Sequence, residues 1–274
     1  MRIARVFPTK TKMSPTDADC YFGSPPLWTP EYDEIHISTV FTWDLSRAAM
    51  LARQWQSYGK IKIGGPALDA RGNGFLSGIY VKKGVTITSR GCPHNCPFCF
   101  VPKREGQIRE LFIQDGNIVQ DNNLLACSPQ HIRKVFEMLR TQKRVDFAGG
   151  LEAARITDEI VEELRSLKIY QLWLSFDPPY NEKPILKAVE KLKRYFRRDQ
   201  IRCYVLIGYY DDTLEKAENR LKWVYEIGTL PFAMRYRTPE PKWDGTFLYK
   251  ERSWNLLTRQ WSWPAIIKSS MKGT

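Results

Sequence analysis

A chain of 274 residues, 43% hydrophobic and 13% aromatic, is long enough to bury a sizeable core and is expected to be globular rather than disordered. It has no run of about 18 apolar residues and no apolar core near the amino terminus for a signal peptide, so membrane and secretory classes are set aside and a reducing, cytoplasmic setting is expected. Its 42 basic against 30 acidic side chains, a formal charge of +12 and a pI near 9.4, suit an anionic partner such as nucleic acid, a nucleotide or a phosphorylated substrate, or else describe only a solvated basic surface.

The first 30 residues read as loop, because Pro8, Pro15, Pro25, Pro26 and Pro30 interrupt any regular element. Residues 31–70 then read as strand, helix, strand. Ile35, Ile37 and Val40 form a β-rich run, Ser46 stands where a helix cap is expected, and Ile61 and Ile63 make a second short strand closed by Gly64 and Gly65. A single βαβ unit is too small to be a domain.

From residue 85 onward strand and helix alternate. VTITSRG runs into a cysteine-rich loop, NIVQDNN precedes the helix SPQHIRKVFEMLRTQ, and RVDFAGG precedes TDEIVEELRSL. QLWLSFD leads to NEKPILKAVEKLKRYF, RCYVLIGYY leads to TLEKAENRLKWVYEIG, and FAMRYR is the sixth strand. Ile132, Val135, Phe136 and Leu139 have amphipathic helical spacing, as do Leu214, Ala217, Leu221 and Val224, and Asp212 with Glu215 is placed for a capping box. Repeated β then α implies a parallel sheet covered by helices, in an α/β chain. Residues 100–116 hold no clear helix, so the first crossover is expected to be short or irregular. Three regions follow: 1–80 with the βαβ unit as a truncated Rossmann-like remnant, 81–240 with the β/α series, and an aromatic, basic tail at 241–274.

GCPHNCPFCF places Cys92, Cys96 and Cys99 within eight residues, whereas Cys20, Cys127 and Cys203 lie apart and read as ordinary thiols. In a reducing compartment such a cluster reads as metal ligands or redox groups rather than disulfide partners. Structural zinc takes four ligands, no second C-x2-C pair is present, and His94 as a fourth ligand would need a tight loop. Three thiolates suit an iron–sulfur cube that keeps one iron open.

C-x3-C-x2-C just after a strand, with Phe98 before the last cysteine, resembles the signature of the radical S-adenosylmethionine superfamily. The six β/α steps resemble that family's partial (β/α)6, TIM-like barrel over roughly residues 85–240. ISTVFTWDL, KIKIGGPA and YVLIGYYDDTLEKAENRL are similar to the branch that carries amino-terminal cobalamin-binding domains, here shortened to a βαβ appendage. No Asp-x-His-x-x-Gly ligand motif is found, His36 lacks that context, and cobalamin is not expected.

The resemblance implies a 4Fe–4S cluster on Cys92, Cys96 and Cys99, S-adenosylmethionine as the partner of the open iron, and an electron donor such as flavodoxin or ferredoxin. It implies that a 5′-deoxyadenosyl radical abstracts hydrogen from substrate, at a site on the carboxyl ends of the strands. It places Phe98 and Gly208 near adenine, and Glu152, Ser175 and Arg235 near the methionine end, without assigning a catalytic side chain. AGGLEAAR is similar to the family's Gly-Gly-Glu motif, with Leu151 intervening and on the third strand instead of the second. Gly149 and Gly150 read equally well as a tight turn, and Glu152 with Arg155 as a helix-start ion pair.

Asp121, Asn122, Asn123, Asp177, Tyr209 and Arg237 complete the polar strand ends, and Lys103, Arg104 and Arg109 are either an anion grip or exposed loop charges. In the tail, Trp254, Leu257 and Trp261 share one helical face, which favours packing over stacking on single-stranded nucleic acid. The expected reaction is modification of a nucleic acid or nucleotide. A peptide or small metabolite is the alternative substrate, and a non-catalytic, metal-holding nucleic-acid-binding protein the alternative class.

Overall fold

The computed structural model describes residues 1–68, 75, 78, 80–177, 181–237 and 247–271, with side chains from residue 252 in the last span. The chain is mixed α/β with parallel sheets and divides into two compact units, one of residues 1–85 with 103–106, the other of 86–102, 107–237 and the described tail. Among the described residues no helix is long and apolar enough to cross a membrane.

The first unit has β1 (Ile3–Phe7), β2 (Cys20–Phe22), β3 (Glu34–Ser38), α1 (Leu45–Trp55) and β4 (Lys60–Gly64). Its sheet runs β2-β1-β3-β4 with every pairing parallel. The expected βαβ unit is β3-α1-β4, but the expectation of loop for residues 1–30 is corrected: β1 and β2 lie there, and the prolines fall only in the connections. The order turns at β1, as in doubly wound sheets. Ala4, Val6, Ile35 and Ile37 pack with Ala48, Leu51 and Trp55 in a core of its own, and the Trp55 indole donates to Gly23 O at 3.0 Å. Ser46 lies inside α1, whose N-cap position is Asp44. His36 is a satisfied core histidine: Nε2 meets Glu34 Oε2 at 2.7 Å, Nδ1 meets the Tyr80 hydroxyl, and the ring stacks on Phe75.

The second unit is built on a six-stranded sheet. The elements from residue 85 on are β5 (Val85–Thr86), β6 (Ser89–Arg90), α2 (Val101–Arg104), β7 (Arg109–Glu110), β8 (Ile118–Val119), α3 (Pro129–Arg140), β9 (Val145–Phe147), α4 (Asp158–Arg165), β10 (Ile169–Phe176), α5 (Glu182–Leu192), β11 (Ile201–Ile207), α6 (Leu214–Glu226), β12 (Leu230–Arg235), α7 (Phe247–Gln260) and α8 (Pro264–Ser270). The sheet order β5-β8-β9-β10-β11-β12 never reverses, and the pairings from β8 to β12 are parallel. Right-handed crossovers in an order that never reverses place α3 to α6 on one face. The first crossover is irregular, as expected, holding the four-residue α2 and the small antiparallel β6-β7 pair.

The helices begin where the sequence provides caps. Ser128, Thr157 and Thr213 each accept a backbone N–H three residues on, and Pro129 takes the first turn of α3. The expected capping box on α6 is corrected, because Asp212 instead accepts from Gly208 N and binds Arg220. Alternate residues of β11 (Ile201, Cys203, Val205 and Ile207) are fully buried against Ala217, Leu221 and Val224 of α6 and the neighbouring helices.

The other sheet face carries Trp173 stacked on Tyr204 at 4.3 Å, with Phe232 edge-on to both. Arg202, 5% exposed, lies 4.7 Å over the Trp173 ring, and Trp173 Nε1 donates to Asp146 Oδ1. That face is thus packed with rings and one guanidinium, which burial shifts toward a lower pKa. In the tail, Leu257 and Trp261 are buried and Trp254 packs on the same core, while Trp261 O accepts from Ala233 N of β12. The helical face read from the tail sequence is a packing face; Trp243, also part of that tail, lies outside the described residues.

Candidate active site at the strand ends

The loop from β6 to α2 carries Cys92, Cys96 and Cys99, all half-buried, with Cys99 N donating to Cys96 O at 3.0 Å. The run Asp121, Asn122, Asn123, directly after β8, grips the approach to this loop residue by residue. Asp121, 2% exposed, accepts from Thr88 N (2.6 Å), Thr88 Oγ1 (2.5 Å) and Ser89 Oγ (2.9 Å). Asn122 Oδ1 accepts from Gly91 N at 3.0 Å. Asn123, 5% exposed, turns Nδ2 to Cys92 Sγ at 3.6 Å and to Glu152 Oε2 at 2.7 Å.

After β9 the chain turns through Gly149 and Gly150. A Cβ on Gly149 would lie 2.1 Å from Asp121 O and 2.7 Å from Asp121 N, so only glycine lets the two strand ends approach; Gly150 has φ +91°. Both glycines therefore meet the backbone requirement that a tight turn imposes. Leu151 drops into the core, its N–H bonded to Trp173 O, and this leaves Glu152 to face Asn123.

Glu152 is the hub of the site. His94 Nε2 lies 2.9 Å from Oε1, and Arg155 Nε lies 2.8 Å from Oε2 beside the Asn123 amide. Burial opposes the charge, yet the Asn123 hydrogen bond, then His94 and Arg155, outweigh it and hold the carboxyl below its ordinary pKa. The ion pair with Arg155 exists as the alternative reading has it, but the same carboxylate also ties in the cysteine loop.

Burial pushes the Cys96 thiol up, and Cys99, Asp177 and Cys92 add to the shift. Among the described residues no three His, Cys, Asp or Glu side chains are grouped to hold a metal ion.

A second group is aromatic. Phe98 stands edge-on to Tyr209 at 5.8 Å, Tyr209 edge-on to Tyr236 at 4.8 Å, and Tyr236 stacks with Phe100 at 6.5 Å. Gly208 (φ +73°) lets the chain turn after β11, and the Trp254 ring lies 3.7 Å from where its Cβ would be. Phe98 and Gly208 are thus brought together, with Tyr209 between them. Asp177, after β10, is pushed up to about 6 by burial, against a hydrogen bond from Ser175. Asn181 braces this turn, accepting from Asp177 N and donating to Ser175 O.

The structure therefore gathers Cys92, His94, Asn123, Glu152 and Arg155 in one network and Phe98 with the Gly208 turn in another. Ser175 is placed with Asp177, and Arg235 Nη1 donates to Asn255 Oδ1 of α7. Lys103 and Arg109 are exposed and Arg104 is half-buried. Asn123 is named among the polar strand ends and His94 as a candidate ligand, but their meeting at Glu152 is not readable from the sequence; the signal for the first is the run of three short polar side chains, Asp121 to Asn123, directly after a strand. No protein-family model and no curated protein matches the chain.

Proposed function

We propose that the chain is a radical S-adenosylmethionine enzyme on a partial (β/α)6 barrel, with Cys92, Cys96 and Cys99 holding a 4Fe–4S cluster. One observation carries the reading: the C-x3-C-x2-C loop lies at the carboxyl end of a sheet whose order never reverses, gripped there by side chains that follow β8 and β9. The donor set fits. A four-iron cluster bonds each thiolate to a different iron, so the three sulfurs need not converge on one point, and its positive irons would favour the thiolate of Cys96 against the burial, and then the neighbouring Cys99, Asp177 and Cys92, that raise its thiol.

When bound, the cluster supplies the electron that cleaves S-adenosylmethionine to a 5′-deoxyadenosyl radical, and a flavodoxin or ferredoxin is the donor that chemistry calls for. The chain's own groups aim and shield. Glu152, through His94 and Asn123, fixes the loop; Phe98 and Tyr209, edge-on to each other beside the Gly208 turn, offer aromatic surface for adenine; Ser175 and Arg235 are the polar groups assigned to the methionine end. The net charge of +12 supports a nucleic-acid or nucleotide substrate over a peptide or small metabolite, in the reducing cytoplasm that thiolate ligands require.

The test is anaerobic. Protein reconstituted with iron and sulfide is reduced and given S-adenosylmethionine, and 5′-deoxyadenosine is quantified for wild type and Cys96→Ala. Product from wild type alone is expected. Stoichiometric zinc with no product would overturn the reading, and oligonucleotides that neither bind nor turn over would remove the nucleic-acid substrate.

A further inference from the structure

The amide of Asn123 is an unusual arrangement. Both N–H groups point at groups that are anionic in a cluster-bound protein, one at the Glu152 carboxylate (2.7 Å) and one at the Cys92 sulfur (3.6 Å). Its Oδ1 is buried with no hydrogen-bond partner, in a residue 5% exposed. Buried amide oxygens are seldom left so, and flipping the amide would set that oxygen against a carboxylate and a thiolate. The side chain thus gives up an acceptor's partner to keep two donors in place, and Glu152 selects the orientation.

Resting on the radical S-adenosylmethionine reading, we infer that Asn123 is a positioning residue whose amide hydrogen bond to the Cys92 sulfur, oriented by Glu152, raises the reduction potential of the cluster. A hydrogen bond to a ligating sulfur draws electron density from it and favours the reduced state, and partners of this kind tune iron–sulfur centres. The neighbouring side chains do other work. Asp121 and Asn122 bind Thr88, Ser89 and Gly91, so the grip on the loop survives loss of the Asn123 donor.

The experiment is a redox titration, followed by electron paramagnetic resonance and made without S-adenosylmethionine, on reconstituted wild type, Asn123→Ala, Asn123→Asp and Asn123→Ser, with iron and sulfide content measured in each. The midpoint is expected to shift negative in Asn123→Ala, further negative in the isosteric Asn123→Asp, and less in Asn123→Ser, which keeps a hydroxyl donor. Asn123→Ala or Asn123→Asp titrating with the wild type at wild-type iron content overturns the inference. All three variants failing to take up iron while folded overturns it too, since the role is then structural. Wild type taking up no cluster sinks the underlying reading instead, and shows before any variant is compared.

Discussion

His94, in the middle of the cysteine loop, and Glu152, beyond the third strand of the β/α series, meet at 2.9 Å although 58 residues of sequence separate them. The His94 and Arg155 side chains are 49% and 45% exposed, so their contacts with the carboxylate add little in solvent. The Asn123 bond to the same carboxylate is the more buried contact and is expected to contribute more than either exposed partner. Glu152→Ala is therefore expected to cost about 1.5–3 kcal/mol in urea unfolding, the range for a lost hydrogen bond to a charged group, and Glu152→Gln, which still accepts from Asn123, about 1 kcal/mol. Equal losses for the two variants would mean that the surface ion pairs dominate.

The two glycines that precede this carboxylate separate by mechanism. Gly149→Ala drives a methyl into the Asp121 backbone, whose carbonyl oxygen would be 2.1 Å away and cannot swing aside, and is expected to cost more than about 4 kcal/mol or prevent folding. Gly150→Ala meets nothing nearer than 3.9 Å and is charged only for φ +91°, about 1–3 kcal/mol. Thermal melts of both variants check the order, and a mild Gly149→Ala would show that the two strand ends can part.

These contacts also show where the sequence stops speaking. The six strands and the helices α3 to α6 were legible because the helices carry amphipathic periodicity and three of them begin at a capping side chain, Ser128, Thr157 or Thr213. β1 and β2 were not: Ile3–Phe7 is bounded by a proline and Cys20–Phe22 spans three residues, too few for alternation to register. Asp212 looked like a helix cap because spacing alone cannot tell it from Thr213, one residue on, which takes that role and frees Asp212 for Gly208 and Arg220. The grip of residues 121–123 on 88–92 depends on the strand end after β8 meeting the chain after β5, a tertiary fact. The three cysteines were legible because their spacing is local.

Asp177 makes stability depend on pH. Its native carboxyl keeps its proton up to about pH 6, against an ordinary value of 3.8, because burial penalises the charge. Between those values the native state binds more protons than the unfolded one, so stability falls as pH rises through that window and is flat above it. Asp177→Asn removes the penalty. At pH 7.5 the variant is expected to be more stable by on the order of 1–3 kcal/mol, the gain vanishing near pH 3.5. Urea melts of the iron-free protein across that range check it, and a gain independent of pH would assign the effect to packing.

The tail separates two readings of the same tryptophans. Trp261 is 1% exposed, in one core with Leu257 and Ile267, and its carbonyl receives Ala233 N of the last strand; Trp263, two residues on, is 61% exposed. Trp261→Ala is expected to cost about 3–5 kcal/mol, as large-to-small changes of buried tryptophan do, whereas Trp263→Ala should stay within about 0.5 kcal/mol. If the tail instead served mainly as a stacking strip for single strands, both variants would weaken oligonucleotide binding and neither would move the melting temperature. Comparing the two changes in stability with the two changes in binding therefore decides which work Trp261 does, and of these two only Trp263 has its ring exposed to do the other.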